Sequence, residues 1–192
     1  MRVLGIGTEG DGGASVALDG KLLSAVNEER ICRMKLVEGF PRGAIREALR
    51  LSGTEVDQLD AVLIASCQDL FVDELQPFDG WFQHWEGTPG LGGQVKRWAS
   101  RLSPLGRYVP FAERVYYGLL EPSFAARRRA IRKILAQEFD VRCPVRFLDH
   151  HFCHVTSAHF TSGMDEALVV SLDGGGDGKS GLLMVGSGSR LT

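Results

Sequence analysis

Four of the chain's five histidines fall between His150 and His159. His150 and His154 are four apart, so on a helix they share one face and can converge on one ion. Asp173 follows the apolar run Ala167–Leu172 and opens a glycine-rich stretch, Gly174 to Gly176. Two imidazoles and a carboxylate, with positions left open, suit a divalent metal that must also touch a substrate. A histidine pair at this spacing is more often a plain polar face. The tight clustering, a strand before the helix and an Asp-Gly-rich turn after it make this pair a metal-site candidate. His and Asp suit several metals, so the ion's identity stays open. Cys153 lies in the same stretch, but its neighbours favour a packed thiol.

Two other stretches could do chemistry. The turn Thr8–Gly13 holds Asp11 among three glycines. Such a turn can present backbone N–H groups to a phosphate while the carboxylate faces a metal or a hydroxyl. Downstream, Arg30, Arg33 and Lys35 place three cations within six residues. They could hold an anionic substrate, although by charge alone a salt-bridged loop is the commoner outcome.

The elements that must position these residues are legible. Arg2–Gly7, Ala14–Leu18 and Lys21–Asn27 read as three strands of a meander, with Asp19-Gly20 as a two-residue hairpin turn. Ala44, Ile45, Ala48, Leu49 and Leu51 repeat at helical spacing after Pro41 and stop at Ser52-Gly53. Ala61–Ala65 is a fully apolar strand suited to the middle of a sheet. Residues 67–110 break the rhythm. They hold all three tryptophans (Trp81, Trp85, Trp98) and four of the seven prolines, and read as an excursion from the core with its own local packing. Phe111–Leu120 and Ser123–Phe139 read as two helices separated by Pro122. Pro144–Leu148 reads as a strand, and the histidine helix runs to about Ser162, where Gly163 ends it. Ala167–Leu172 reads as a buried strand delivering Asp173 at its end. Gly181–Val185 pairs with it across a Gly174–Ser180 turn.

The chain has 192 residues, 44% hydrophobic and 24% charged, with net charge −2. That is ordinary globular composition, and it offers no basic field for nucleic acid. The run Arg127-Arg128-Arg129, with Arg132 and Lys133, reads as a solvated helix face. Cys32, Cys67, Cys143 and Cys153 lack Cys-x-x-Cys spacing and read as reduced thiols of a cytoplasmic protein. No stretch is long enough to span a membrane, and the N-terminus lacks a signal-peptide pattern.

Strand, acidic glycine-rich turn and new strand occur twice, at Gly5–Ala14 and again from Ser171. This plan resembles the actin/hexokinase/Hsp70-like fold, an α/β class with a ribonuclease H-like mixed sheet flanked by helices and ATP in the cleft between two lobes. Within it, Asp11 with Ala14, Asp19-Gly20, Glu28-Glu29-Arg30 with Arg33 and Lys35, Phe40-Pro41, His150-His151-x-x-His154-x-x-Ser157-Ala158 and Asp173-Gly174-x-Gly176 resemble the NodU/CmcH-type O-carbamoyltransferases. The resemblance covers nearly the whole chain. It implies a first lobe at 1–165 and the opening hairpin of an incomplete second lobe at 166–192. It implies His150, His154 and Asp173 as ligands of a divalent metal, commonly iron, with zinc or another ion as the alternative. Asp11 would be the general base on an acceptor hydroxyl. Arg33 and Lys35 would face an anionic donor, and Gly174 and Gly176 a nucleotide. Carbamoyl phosphate and ATP would form carbamoyl-adenylate in a separate carboxy-terminal domain, present in cis or in trans with the rest of the second lobe. The acceptor would be a small-molecule or sugar hydroxyl. Gly10, Gly13, Leu36 and Asp177 depart from the family's usual His, Ser, His and Glu.

Two other readings share these residues. One is a truncated, non-catalytic metal- or nucleotide-binding module. The other is a relative of the tRNA threonylcarbamoyladenosine synthesis protein, which shares the His-x-x-x-His pair. The Glu-Glu-Arg segment and the Trp-rich excursion favour the transferase over the latter. A second lobe barely begun predicts that Ala167–Thr192 either adds strands to the first sheet or pairs with a second copy as a homodimer.

Overall fold

The computed structural model describes residues 1–8, 12–68, 72–77 and 110–192, with backbone alone for 110–117, 119 and 174. Asp11, the three tryptophans and most of the 67–110 excursion lie outside the described residues. The fold is mixed α/β. Strands β1 (Arg2–Gly7), β2 (Gly13–Leu18) and β3 (Lys21–Asn27) form the antiparallel meander. Asp19 and Gly20 turn it with φ of 49° and 79°, the paired positive φ that a type I′ hairpin demands. β5 (Ala61–Ala65) runs parallel to β1, and β7 (Val145–Leu148) runs parallel to β5. The sheet order is β3-β2-β1-β5-β7, so the apolar strand β5 is internal, as its composition requires.

Helices α2 (Arg42–Ser52) and α3 (Pro110–Phe139) cover one face of this sheet. Leu4, Ile6, Ala14, Val16, Val62 and Ile64 meet Ala44, Ile45, Ala48, Ile131 and Leu135 there. Leu51, expected on the apolar face of α2, is exposed. The α3 segment is one continuous helix rather than two, with Pro122 inside it. Proline gives up one i→i−4 bond, and the residue whose carbonyl would have accepted it, Gly118, is exposed, so water can take its place.

The charged stretch after β3 is a short helix, α1 (Glu28–Cys32), rather than a loop. Its Glu28 is 2% exposed, and its carboxylate accepts from the N–H groups of Gly43 and Ala44. Pro41 has no side chain to cap α2, so a carboxylate from α1 satisfies those orphan donors and meets the positive helix end. A Cβ on Gly43 would sit 2.7 Å from that carboxylate. Arg42 clamps the same helix end to Asp73 and Glu138, both at 2.7 Å. The Arg42 bonds hold the Glu138 carboxyl below its ordinary range. Two short strands, β4 (Val37–Glu38) and β6 (Gln76–Pro77), pair with each other. At two residues each they are too brief to show a period.

Helix α4 (His150–Ser162) follows β7 and ends at left-handed Gly163. β8 (Glu166–Gly176), β9 (Lys179–Ser187) and β10 (Arg190–Leu191) then form a separate three-stranded antiparallel sheet. The last segment therefore does not extend the first sheet. Nor is β8 buried as a whole, because Leu168 is 67% and Leu172 81% exposed. Only one face of this sheet packs on α4. The hairpin turn is the pair Asp177-Gly178, with φ of 50° and 75°, not the longer Gly174–Ser180 stretch. It repeats the Asp19-Gly20 turn chemistry. No helix among the described residues is long and apolar enough to cross a membrane.

Candidate metal centre

Helix α4 presents two faces with different jobs. His151, Val155 and His159 are four apart in turn and all buried. The His151 ring is fixed at both nitrogens: Nε2 donates to the Lys179 carbonyl and Nδ1 accepts from Ser171 Oγ, each at 2.9 Å. A carbonyl only accepts, so the neutral Nε2–H tautomer satisfies both bonds. His159 Nε2 donates to the Gly188 carbonyl at 2.9 Å. These residues dock α4 onto β8 and β9.

His150 and His154 leave the helix on the other side. Their Nε2 atoms are 3.0 Å apart. Asp173 Oδ2 lies 2.8 Å from His150 Nε2 and 3.3 Å from His154 Nε2. A metal with bonds of about 2.0–2.2 Å sets neighbouring ligand atoms roughly 3.0–3.4 Å apart. The triangle thus has nearly the edges that one ion would impose. Asp173 reaches this point because β8 bulges. Leu172 pairs with Gly181 and Gly176 with Lys179, so three residues of β8 oppose one of β9. A bulge re-aims a side chain in this way.

Gly176 completes the cradle. A Cβ there would fall on the His150 ring, so the absence of a side chain lets the imidazole lie against β8. Gly174 sits within the bulge. The chemistry of the donors also fits: two imidazoles and one carboxylate, partly exposed, leave room for water or substrate. Among the described residues this is the one cluster of three potential ligands whose donor atoms all lie within 4.8 Å.

Two carboxylates meet the N-terminus of α4. Asp149 caps it, accepting from the Phe152 N–H at 2.9 Å, and pairs with Lys179 Nζ at 2.6 Å. Burial alone pushes the Asp149 carboxyl up, but the Lys179 ammonium and the Phe152 N–H outweigh it and hold the group below its ordinary value. Asp177 accepts from the His150 N–H at 2.7 Å. These two carboxylates take the place at the positive helix end that an anion such as phosphate otherwise fills.

Asp177 also reaches the first sheet. It accepts from Ser66 Oγ at 3.0 Å, from the Cys67 N–H at 2.8 Å and from the Gln68 N–H. On the far side of this loop Arg127 donates to the Ser66 carbonyl at 3.0 Å and to Thr8 Oγ1 at 2.7 Å. Arg128 donates to the Cys67 carbonyl at 3.1 Å. Arg127 is 1% exposed, which corrects its reading as part of a solvated face. A buried guanidinium needs such partners. Its signal was spacing: with Phe124, Ile131 and Leu135 it forms one helical stripe. Asp149 was signalled by its place just before a helix, and Asp177 by the Asp-Gly turn pair.

Arg33 caps the C-terminus of α1 in a left-handed conformation, and both it and Lys35 are exposed. Among the described residues no hydrogen bond or ion pair joins either to the histidine helix. No disulfide joins any of the four cysteines.

The chain matches the family described as carbamoyltransferase N-terminus over residues 2–192. It is 27% identical over 184 residues to nodulation protein NolNO of Sinorhizobium fredii, which covers 94% of this chain and 22% of that protein. It is 26% identical over 186 residues to an uncharacterised protein of Synechocystis sp., covering 95% of this chain and 26% of the other. A shorter stretch of 44 residues is 50% identical to nodulation protein NolO of Bradyrhizobium diazoefficiens, covering 23% of this chain and 8% of that protein. The chain thus spans about a quarter of the length of the first two relatives.

Proposed function

The chain belongs to the carbamoyltransferase N-terminus family, and we propose that it carries the metal-binding part of an O-carbamoyltransferase. The observation that supports this most is the triangle of His150, His154 and Asp173 donor atoms, with edges of 2.8 to 3.3 Å. These three residues would hold a divalent ion, iron or zinc. Bound there, the ion supplies Lewis-acid stabilisation of negative charge on a phosphate oxygen. The order β3-β2-β1-β5-β7 supports an actin-like first lobe at 1–165. The separate sheet that begins at β8 supports 166–192 as the start of a second lobe. The remaining lobe and a carbamoyl-adenylate-forming domain would be supplied in cis or in trans.

In the proposed reaction, water cleaves carbamoyl phosphate to carbamate and phosphate, a carbamate oxygen bonds to the α-phosphorus of ATP as pyrophosphate leaves, and the carbamoyl group of the resulting carbamoyl-adenylate passes to an acceptor hydroxyl. The hydroxyl oxygen bonds to the carbamoyl carbon as that carbon's bond to the phosphate oxygen breaks. The bonding pair leaves with AMP. We assign Asp11 to accept the hydroxyl proton, and Arg33 and Lys35 to meet the anionic donor. Gly174 and Gly176 keep the strand free of side chains where nucleotide and His150 would approach it.

The test is metal content and transfer together. Protein purified without oxygen should carry close to one divalent ion per chain, and His154→Ala should carry almost none. Labelled carbamoyl phosphate should reach a hydroxyl acceptor only when ATP and the missing domain are supplied. A metal-free parent that binds no added iron, zinc or cobalt would sink the assignment.

A further inference from the structure

The tripeptide Ser66–Gln68 is held from both sides. Its N–H groups at Cys67 and Gln68 point to the Asp177 carboxylate, and its Ser66 and Cys67 carbonyls accept from Arg127 and Arg128. Ser66 is fully buried and has φ of 71°, a conformation that persists in a non-glycine residue only when the surroundings over-determine it. The other oxygen contacts of Asp177 include the N–H of His150, the residue that starts α4 and supplies one corner of the donor triangle. One carboxylate therefore joins the loop after β5, the β8–β9 turn and the first residue of the histidine helix. Its own φ of 50° belongs to the Asp-Gly turn, so the turn aims the carboxylate inward.

We propose that Asp177 is the positioning residue of the metal centre. It does not reach the ion. It fixes where His150 begins, and so holds the imidazole on Gly176 and in register with Asp173. The chain of bonds runs from Arg127 on α3 through Ser66 to Asp177 and His150, so the first sheet sets the geometry of ligands carried by α4 and β8. Groups that orient metal ligands in this way commonly change affinity 10–100-fold when removed. The inference deepens the metal reading above and rests on it for its affinity arm only.

Two measurements on the full chain separate the two ideas. The first is nuclear magnetic resonance of the metal-free protein. The parent should show a contact between the His150 ring and the Gly176 α-protons, and slow exchange of the His150 N–H. Asp177→Ala should lose both while the His151 contacts to Ser171 persist. Asp177→Asn keeps the volume but turns an amide NH2 toward donors, and should weaken both signals. It serves in place of Asp177→Ala if that variant does not fold. The control Asp19→Asn alters the matching turn far from the site and should change neither. The second measurement is Co(II) absorption. Affinity for Co(II) should fall 10–100-fold in Asp177→Ala, with Asp19→Asn at parent level. A folded Asp177 variant that keeps the His150–Gly176 contact and N–H protection overturns the proposal, whatever the metal result. A parent that ignores Co(II) overturns the metal reading, and the resonance arm still decides the positioning role.

Discussion

His150 and His151 are adjacent in sequence and face different tasks. His151 has no exposed surface and both ring nitrogens bonded. His151→Ala should therefore lower stability by about 2–4 kcal/mol through a cavity and two orphaned partners, read as a fall in melting temperature. His154 is half exposed and its ring is aimed at the donor triangle. His154→Ala should change stability by no more than about 0.5 kcal/mol while abolishing bound metal in elemental analysis. Gly176→Ala tests the cradle. Its Cβ would meet the His150 ring, so it should cost about 1–3 kcal/mol by overpacking and weaken metal binding as well. Parent-level metal content in Gly176→Ala would show that the ring has room to move.

At the scale of elements, α4 depends on its first turn. Asp149 caps it and is paired with Lys179. Because the folded carboxyl titrates below its ordinary value of about 3.9, its contribution is present above that pH. It is lost as pH falls below about 4, through the lower folded value. Lys179→Met removes the ion pair, raises the Asp149 value toward or above the ordinary one, and should move the acid-unfolding midpoint to higher pH in circular dichroism. An unchanged midpoint would assign the shift to the helix cap alone. Helix α3 offers the opposite case. Pro122 interrupts its hydrogen-bond ladder, so Pro122→Ala should stabilise the protein, by up to about 3 kcal/mol, as seen by denaturant titration.

Among the described residues, the five-stranded and three-stranded sheets are joined by the Asp177 clamp, and the three-stranded sheet has one open face. Leu168, Val170 and Leu172 on β8 and Leu183 and Val185 on β9 are exposed side by side. Leu168 pairs with Val185 and Val170 with Leu183, so the patch is contiguous, and such patches drive association. The chain alone should self-associate, and sedimentation velocity should show the larger species disappear in Val170→Lys/Leu183→Glu. A parent that stays monomeric throughout would remove the homodimer proposal. We propose the same face as the seat of the remaining second lobe, whether that lobe is supplied in cis or in trans.

The sequence by itself determined most of the local elements and marked the three candidate donors. Alternation and spacing marked β1 to β3, β5, β7 and α2, and the four-residue step set His150 and His154 on one face of α4. Those signals are local, because a period or a turn pair is written in neighbouring residues. What only the tertiary structure decided is non-local. Nothing within Arg127–Arg129 but its spacing says which arginine is buried, since the partners are Thr8 and Ser66 across the sheet. Nothing in residues 173–181 alone reveals the bulge that turns Asp173 toward the histidines, because register belongs to a pair of strands. The direction of Asp177 into the loop after β5 likewise depends on how two sheets meet, and that contact joins residues 109 to 111 positions apart.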